Sequence, residues 1–142
     1  MPGNFGNSFV QAILTSPLHP LLGPGVALIT VTGRKTGRPI TTPINVLADG
    51  ERLTVVSLRQ RTWWRNLRGA QPAALQLAGR QLAVRGEVLE APPDVAQGLA
   101  RLFARFPGHA KYFGVRGAVT EADLQRLADR HVVIHLAEVG RV

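Results

Sequence analysis

Residues 26–31 (VALITV) are an unbroken run of apolar and β-branched side chains, and the eight residues after them, 32–39 (TGRKTGRP), carry two glycines, a proline and three cations. An apolar β-branched run of that length reads as a buried strand. Glycine and proline make the chain turn, so residues 40–47 come back as a second strand. Asp49-Gly50 marks another tight turn, and residues 52–58 form a third strand. Residues 74–78 and 81–90 read as a hairpin across Gly79-Arg80, and residues 131–139 as a closing strand. Six strands in mostly hairpin order, with helices inserted late, predict a small antiparallel β-barrel of the α+β class.

The helical signals are few. Residues 7–14 form a short amphipathic helix that stops before Pro17, and residues 17–24 are a loop rich in proline and glycine. Residues 63–68 have helical spacing and end at Gly69. Pro92-Pro93-Asp94 opens a helix to about Phe106, with Val95, Leu99, Leu102 and Phe106 along one side. Thr120 and Asp123 are spaced as a capping box for a last helix that runs to about Arg130.

A chain of 142 residues without repeats or linkers fits a single domain. It divides into an N-terminal helix and loop (1–24), a barrel core (25–91), a helical region (92–130) and the closing strand (131–139). A domain this small covers a deep pocket poorly alone, so a homodimer is expected. No apolar run approaches the roughly 20 residues of a membrane span. No secretion signal is evident, and a cytoplasmic location is expected. The absence of cysteine excludes disulfides, thiolate metal sites and cysteine nucleophiles.

The formal net charge is +8, and Lys35 and Lys111 are the only lysines among seventeen basic residues. Arginine keeps its charge when partly buried and grips phosphate through paired hydrogen bonds. The expected partner is anionic: a phosphate-bearing cofactor, a nucleic acid or an acidic membrane.

Three segments concentrate the chemistry. In the basic turn, Arg34, Lys35 and Arg38 stand among glycines that expose backbone amides, which suits a phosphate or a string of carboxylates. A solvated hairpin turn explains the same composition. It is not a Walker loop, because the lysine is misplaced and a strand follows. Residues 59–68 hold four arginines and both tryptophans of the chain. Neighbouring tryptophans on a helix point apart, so at most one is simple core and the other can cover a flat ring or an arginine. Residues 106–113 (FPGHAKYF) include the only tyrosine. If they are helical, His109 and Tyr112 share a face and both can donate a proton. Packing of Tyr112 and Phe113 on the barrel, with His109 in solvent, is the competing reading. His131 and His135 share a face of the last strand without a third ligand, so no metal site is expected. There is no nucleophile elbow and no close carboxylate pair, which disfavours hydrolysis.

Together the turn TGRKTGRP, Pro43 four residues later, Asp49-Gly50 and the run WWRNL at 63–67 resemble the deazaflavin-dependent nitroreductase and quinone reductase family of the flavin-reductase-like split barrels. The resemblance runs from about Val26 to about Glu90, with a fainter continuation to Phe113. It implies a split barrel that binds coenzyme F-420 and passes hydride to an organic acceptor: a quinone, an activated alkene or a nitro compound. It implies that Arg34, Lys35 and Arg38 hold the cofactor's phosphate and acidic tail. Thr41, Thr42 and Pro43 would pass beside the ring. Val56, Ser57, Leu58 and Arg59 would wrap the ring and its linker, and the family's aromatic pair and asparagine carry over to Trp63, Trp64 and Asn66 as further cofactor-binding residues. A late segment would cover the ring and place His109 and Tyr112 over the substrate as catalytic residues. The chain departs from the family pattern at Ile40, where an arginine is common, in a shorter loop between Leu58 and Trp63, and at His109, where the family has tyrosine.

This chemistry needs little from the protein: the cofactor donates hydride, and the chain holds the ring, excludes water and supplies a proton. Flavin mononucleotide or haem in the same barrel is the alternative cofactor reading. A single-strand nucleic-acid module is the alternative from another class, since aromatics among arginines suit stacking. The aromatics form one local pair and are not spread over a sheet, so no nucleic acid is expected.

Overall fold

A computed structural model of the protein describes residues 26–49, 52–77 and 79–139. The expected helix at 7–14, the loop at 17–24 and Gly50 of the second turn lie outside the described residues. The strands are β1 (Val26–Thr32), β2 (Pro39–Asn45), β3 (Leu47–Asp49), β4 (Arg52–Leu58), β5 (Pro72–Leu77), β6 (Arg80–Leu89) and β7 (His131–Glu138). The helices are α1 (Pro92–Arg105) and α2 (Glu121–Arg130), with 3-10 turns at Trp63–Leu67 and Pro107–Phe113. All neighbouring strands pair antiparallel, in the order β2-β1-β5-β6-β7-β4-β3.

That order explains why there are seven strands and not the six expected. The run at 40–47 does not stay one strand: β2 lies at one edge of the sheet, β3 at the other, and only Val46 separates them. The sheet therefore curls until its two edges meet through one residue, which is buried at 6% exposure. Pro43 lies in β2, an edge strand, where a missing N–H is tolerated. The result is a curled antiparallel half-barrel with peripheral helices, of the α+β class.

Strand alternation sorts side chains into two apolar layers. On β7, Val132, Ile134 and Leu136 face the barrel interior with Ile29, Val55 and Leu75, while Val133 faces out beneath the helices. Val95, Leu99, Leu102 and Phe103 of α1 and Leu127 of α2 cover that outer face. Burial on both sides is why residues 132–134 read as a continuous apolar run. Helix α1 stops at Arg105, so Phe106 is its C-cap and only half-buried. Helix α2 starts with the expected capping box: the Asp123 amide donates to Thr120 Oγ1 (3.1 Å), and the Thr120 amide donates to Asp123 Oδ2 (3.0 Å). No helix among the described residues is long and apolar enough to cross a membrane.

Candidate functional site

The basic turn is built by its own backbone. Gly33 N–H donates to Arg38 O and Gly37 N–H to Gly33 O, both at 2.8 Å, and Arg38 N–H donates to Thr36 Oγ1 at 3.2 Å. Gly37 has φ of +71°, a backbone state that other residues adopt only with strain. The amide of Arg34 leaves the turn and donates to Asn66 Oδ1 at 2.9 Å. Asn66 is itself fixed, since its Nδ2 donates to Trp63 O at 3.0 Å. The amides of Lys35 and Thr36 make no hydrogen bond to a described residue. Two amides without a partner among the described residues and the cations Lys35 and Arg38 thus crown the turn, an arrangement suited to oxyanions. Beside it lies a cleft of about 750 Å³, lined among others by Gly33, Arg34, Gly37, Asn66 and Arg68.

Arg68 lines this cleft, a placement that sequence reasoning missed; its only signal was its place in the arginine-rich run. It forms a two-pronged pair with Glu90 at 2.6 and 2.9 Å. The hydrogen bonds from Arg68 hold the Glu90 carboxyl below its ordinary range, and the Arg68 guanidinium is raised in turn. Arg68 and Arg65 also sit 5.2 and 5.5 Å from the centre of the Trp64 ring.

The tryptophans differ from expectation. Where the sequence leaves one of them free to cover a ring, both are core, at 5% and 1% exposure. The 3-10 turn Trp63–Leu67 pushes Trp63, Trp64 and Leu67 into the barrel interior. A turn inserted into a curled sheet meets apolar surface on more than one side, so neighbouring residues can both bury. Trp63 Nε1 donates to Ser57 Oγ at 3.1 Å, whereas the buried Trp64 Nε1 has no partner among the described residues. Gly86 on β6 leaves room for this plug, since a Cβ there would stand 3.3 Å from Leu67 Cδ1.

Arg59 is anchored in the fold through one guanidinium nitrogen. Its Nη2 donates to the carbonyls of Glu90, Ala128 and His131 at 2.8, 2.9 and 2.9 Å, which ties the end of β6 to the end of α2. The hydroxyls of Thr41 and Thr30 pair at 2.8 Å, and Arg61 Nη2 donates to Thr42 Oγ1 at 3.0 Å. Pro43 is exposed. Along β4 the side chains divide: Ser57 turns inward to Trp63, while Val56 and Leu58 line a second cleft.

That second cleft holds about 620 Å³, and its walls include Val46, Val56, Leu58, His109, Tyr112 and His131. Residues 107–113 form a 3-10 turn, and the rings of His109 and Tyr112 meet edge-on at 5.5 Å. Tyr112 is 72% exposed, and neither ring forms a hydrogen bond to a described residue. The chain from Leu58 to Asn66 runs from the apolar cleft to the basic one, so one segment carries both halves of the candidate site.

A model of the F420H(2)-dependent quinone reductase family matches residues 10–126. No curated protein matches the chain by sequence. Among solved structures, a protein of unknown function from Agrobacterium tumefaciens shares 17% identity at a TM-score of 0.57, over 82% of this chain and 49% of that one. This chain thus spans about half the length of that protein. A FAD and haem binding protein from Mycobacterium smegmatis shares 20% identity at 0.52, over 87% of this chain and 66% of that one. A domain-swapped dimer shares 17% identity at 0.51, over 95% and 99%. Identities this low speak to the fold alone.

Proposed function

Because the chain belongs to the F420H(2)-dependent quinone reductase family, and is thus an oxidoreductase that uses coenzyme F-420, we propose that its acceptor is a quinone bound in the apolar cleft. The observation that carries the cofactor half of this reading is the basic turn docked on Asn66, where the amides of Lys35 and Thr36 have no partner among the described residues. Arg34, Lys35 and Arg38 hold the anionic tail of the cofactor there. Val56, Leu58 and Pro43 offer apolar surface to its ring, while Thr41 and Thr42 brace the strand beside it. Ser57, Trp63, Trp64 and Asn66 support this surface from within, and Arg59 pins its far end.

When bound, the cofactor supplies hydride. The protein excludes water with its apolar walls and provides a proton to the acceptor oxygen. Tyr112, His109 and His131 are the groups lining that cleft with the right chemistry for that proton. Fluorescence titration tests the reading: coenzyme F-420 binds at micromolar concentration or tighter, and flavin mononucleotide binds more weakly. Equal or reversed preference would replace it with a flavin reading.

The same reading makes the protein a cytoplasmic homodimer. A domain this small covers a cofactor and its acceptor poorly alone, which favours pairing with a second copy. One structural neighbour is described as a domain-swapped dimer. Light scattering that gives a monomer mass at tens of micromolar, an order-of-magnitude working concentration, would reject the dimer.

A further inference from the structure

We propose that His131 binds and protonates the carbonyl oxygen of the acceptor, an assignment that rests on the quinone reading above. His131 is the first residue of β7 and the C-cap of α2. Its Nδ1 lies 2.9 Å from Leu127 O in the last turn of that helix. A carbonyl only accepts, so Nδ1 carries the proton of this bond. The ring also stands edge-on to Phe113, with centroids 5.3 Å apart at 78°, and Arg59 holds the backbone carbonyl of His131 at 2.9 Å. These contacts leave one polar atom of the ring uncommitted. Nε2 makes no hydrogen bond to a described residue, and His131 lines the apolar cleft with Val46, Val56, Leu58 and Leu102.

A proton donor must be held in place as well as be acidic. His109 and Tyr112 lean only on ring contacts, while His131 is tethered from two sides. The charged and titratable groups around it are Arg59 after β4, Arg130 at the end of α2, and His109 and Tyr112 on the 3-10 turn. Among the described residues no carboxylate lines the cleft, so the quinone oxygen, as it gains charge on hydride transfer, is the anion available to His131 there.

The step balances as follows. The imidazolium Nε2–H donates to the quinone oxygen. The quinone receives two electrons and one proton as hydride from the reduced cofactor, which is oxidised by two electrons. Charge then collects on the quinone oxygen, the Nε2–H bond breaks and an O–H bond forms. The product is the hydroquinone, whose O–H donates back to the bare Nε2. Water reprotonates the imidazole after release.

The probe is 1,4-naphthoquinone, titrated by calorimetry into protein loaded with oxidised coenzyme F-420, which cannot reduce it. In His131→Asn the amide nitrogen replaces Nδ1 and keeps the bond to Leu127, but nothing replaces Nε2. This variant is expected to keep the melting temperature and cofactor affinity of the parent, to bind naphthoquinone about tenfold more weakly, and to turn over roughly a hundredfold more slowly. His131→Gln, with its amide near the Nε2 position, is expected to recover part of the quinone affinity but not the turnover. In the parent, the ¹⁵N shift of Nε2 is expected to change when naphthoquinone binds, because a new hydrogen bond forms there. Parent-like affinity and turnover in His131→Asn, or an unmoved Nε2 shift, overturns the assignment. The shift is read on the parent, so a variant that fails to fold does not protect the proposal. If the parent does not bind coenzyme F-420, the cofactor reading falls by itself. Naphthoquinone titrated into the free parent and His131→Asn then decides the role of His131, and absence of binding to the parent overturns it as well.

Discussion

The backbone amide of Arg34 donates to Oδ1 of Asn66 across 2.9 Å, although the two residues lie 32 positions apart. Through this bond the 3-10 turn that plugs the barrel also sets the position of the basic turn outside it. Asn66→Ala is expected to weaken binding of coenzyme F-420 by roughly threefold to tenfold, the equivalent of one neutral hydrogen bond. Fluorescence titration reads this directly, and unchanged affinity in the folded variant would show that the turn holds its shape alone.

Lys35 is exposed and projects from the crown of the same turn. A charge-assisted contact contributes about 1.5–3 kcal/mol, so Lys35→Ala is expected to raise the dissociation constant of the cofactor by roughly tenfold to a hundredfold. The melting temperature should stay at the parent value. A parent-like dissociation constant removes Lys35 from the site.

Arg59→Met separates two roles. Loss of the three carbonyl contacts is expected to destabilise the fold by about 1.5–3 kcal/mol, the range for hydrogen bonds to a charged group. Below the melting transition, cofactor affinity should match the parent. The opposite pattern, full stability with weakened affinity, would return Arg59 to the cofactor.

The two tryptophans make a controlled pair. Trp63→Phe breaks the bond to Ser57, while Trp64→Phe removes an N–H that has no partner. Both lose similar volume from the core, so Trp63→Phe is expected to cost about 1 kcal/mol more in urea unfolding. Equal costs would mean that the Ser57 bond adds nothing.

Two carboxylates titrate low in the folded protein. The Thr120 amide, then its hydroxyl and Arg126, hold Asp123 below its ordinary range, and the hydrogen bonds of Arg68 do the same for Glu90. A folded value below the unfolded one means stability that is present above the unfolded carboxylate value, near ~4, and lost as pH falls through the folded value. The difference in urea midpoint between the parent and Asp123→Ala, or Glu90→Gln, should be constant near neutrality and shrink below about pH 4. A difference that persists unchanged at low pH would exclude this linkage.

What could be read in the sequence was local. Strand runs, the glycine-built basic turn, the start of α1 and the capping box at Thr120 and Asp123 all depend on neighbours within a few positions, where periodicity and turn chemistry act. The family, too, was legible in TGRKTGRP and WWRNL, because a tight turn and a short plug need particular residues at fixed spacing. What the sequence left open was decided by partners far along the chain. The anchoring of Arg59 is one case, since its carbonyl partners lie 31 to 72 positions away. Both tryptophans became core because the curled sheet surrounds the turn that carries them. His131 carried no motif: its place in the apolar cleft exists only because α2 ends against β7 and β4. The break at Val46 has the same origin. A run of strand residues cannot announce that its two halves will sit on opposite edges of one sheet, since closure is a property of the whole barrel and not of any segment.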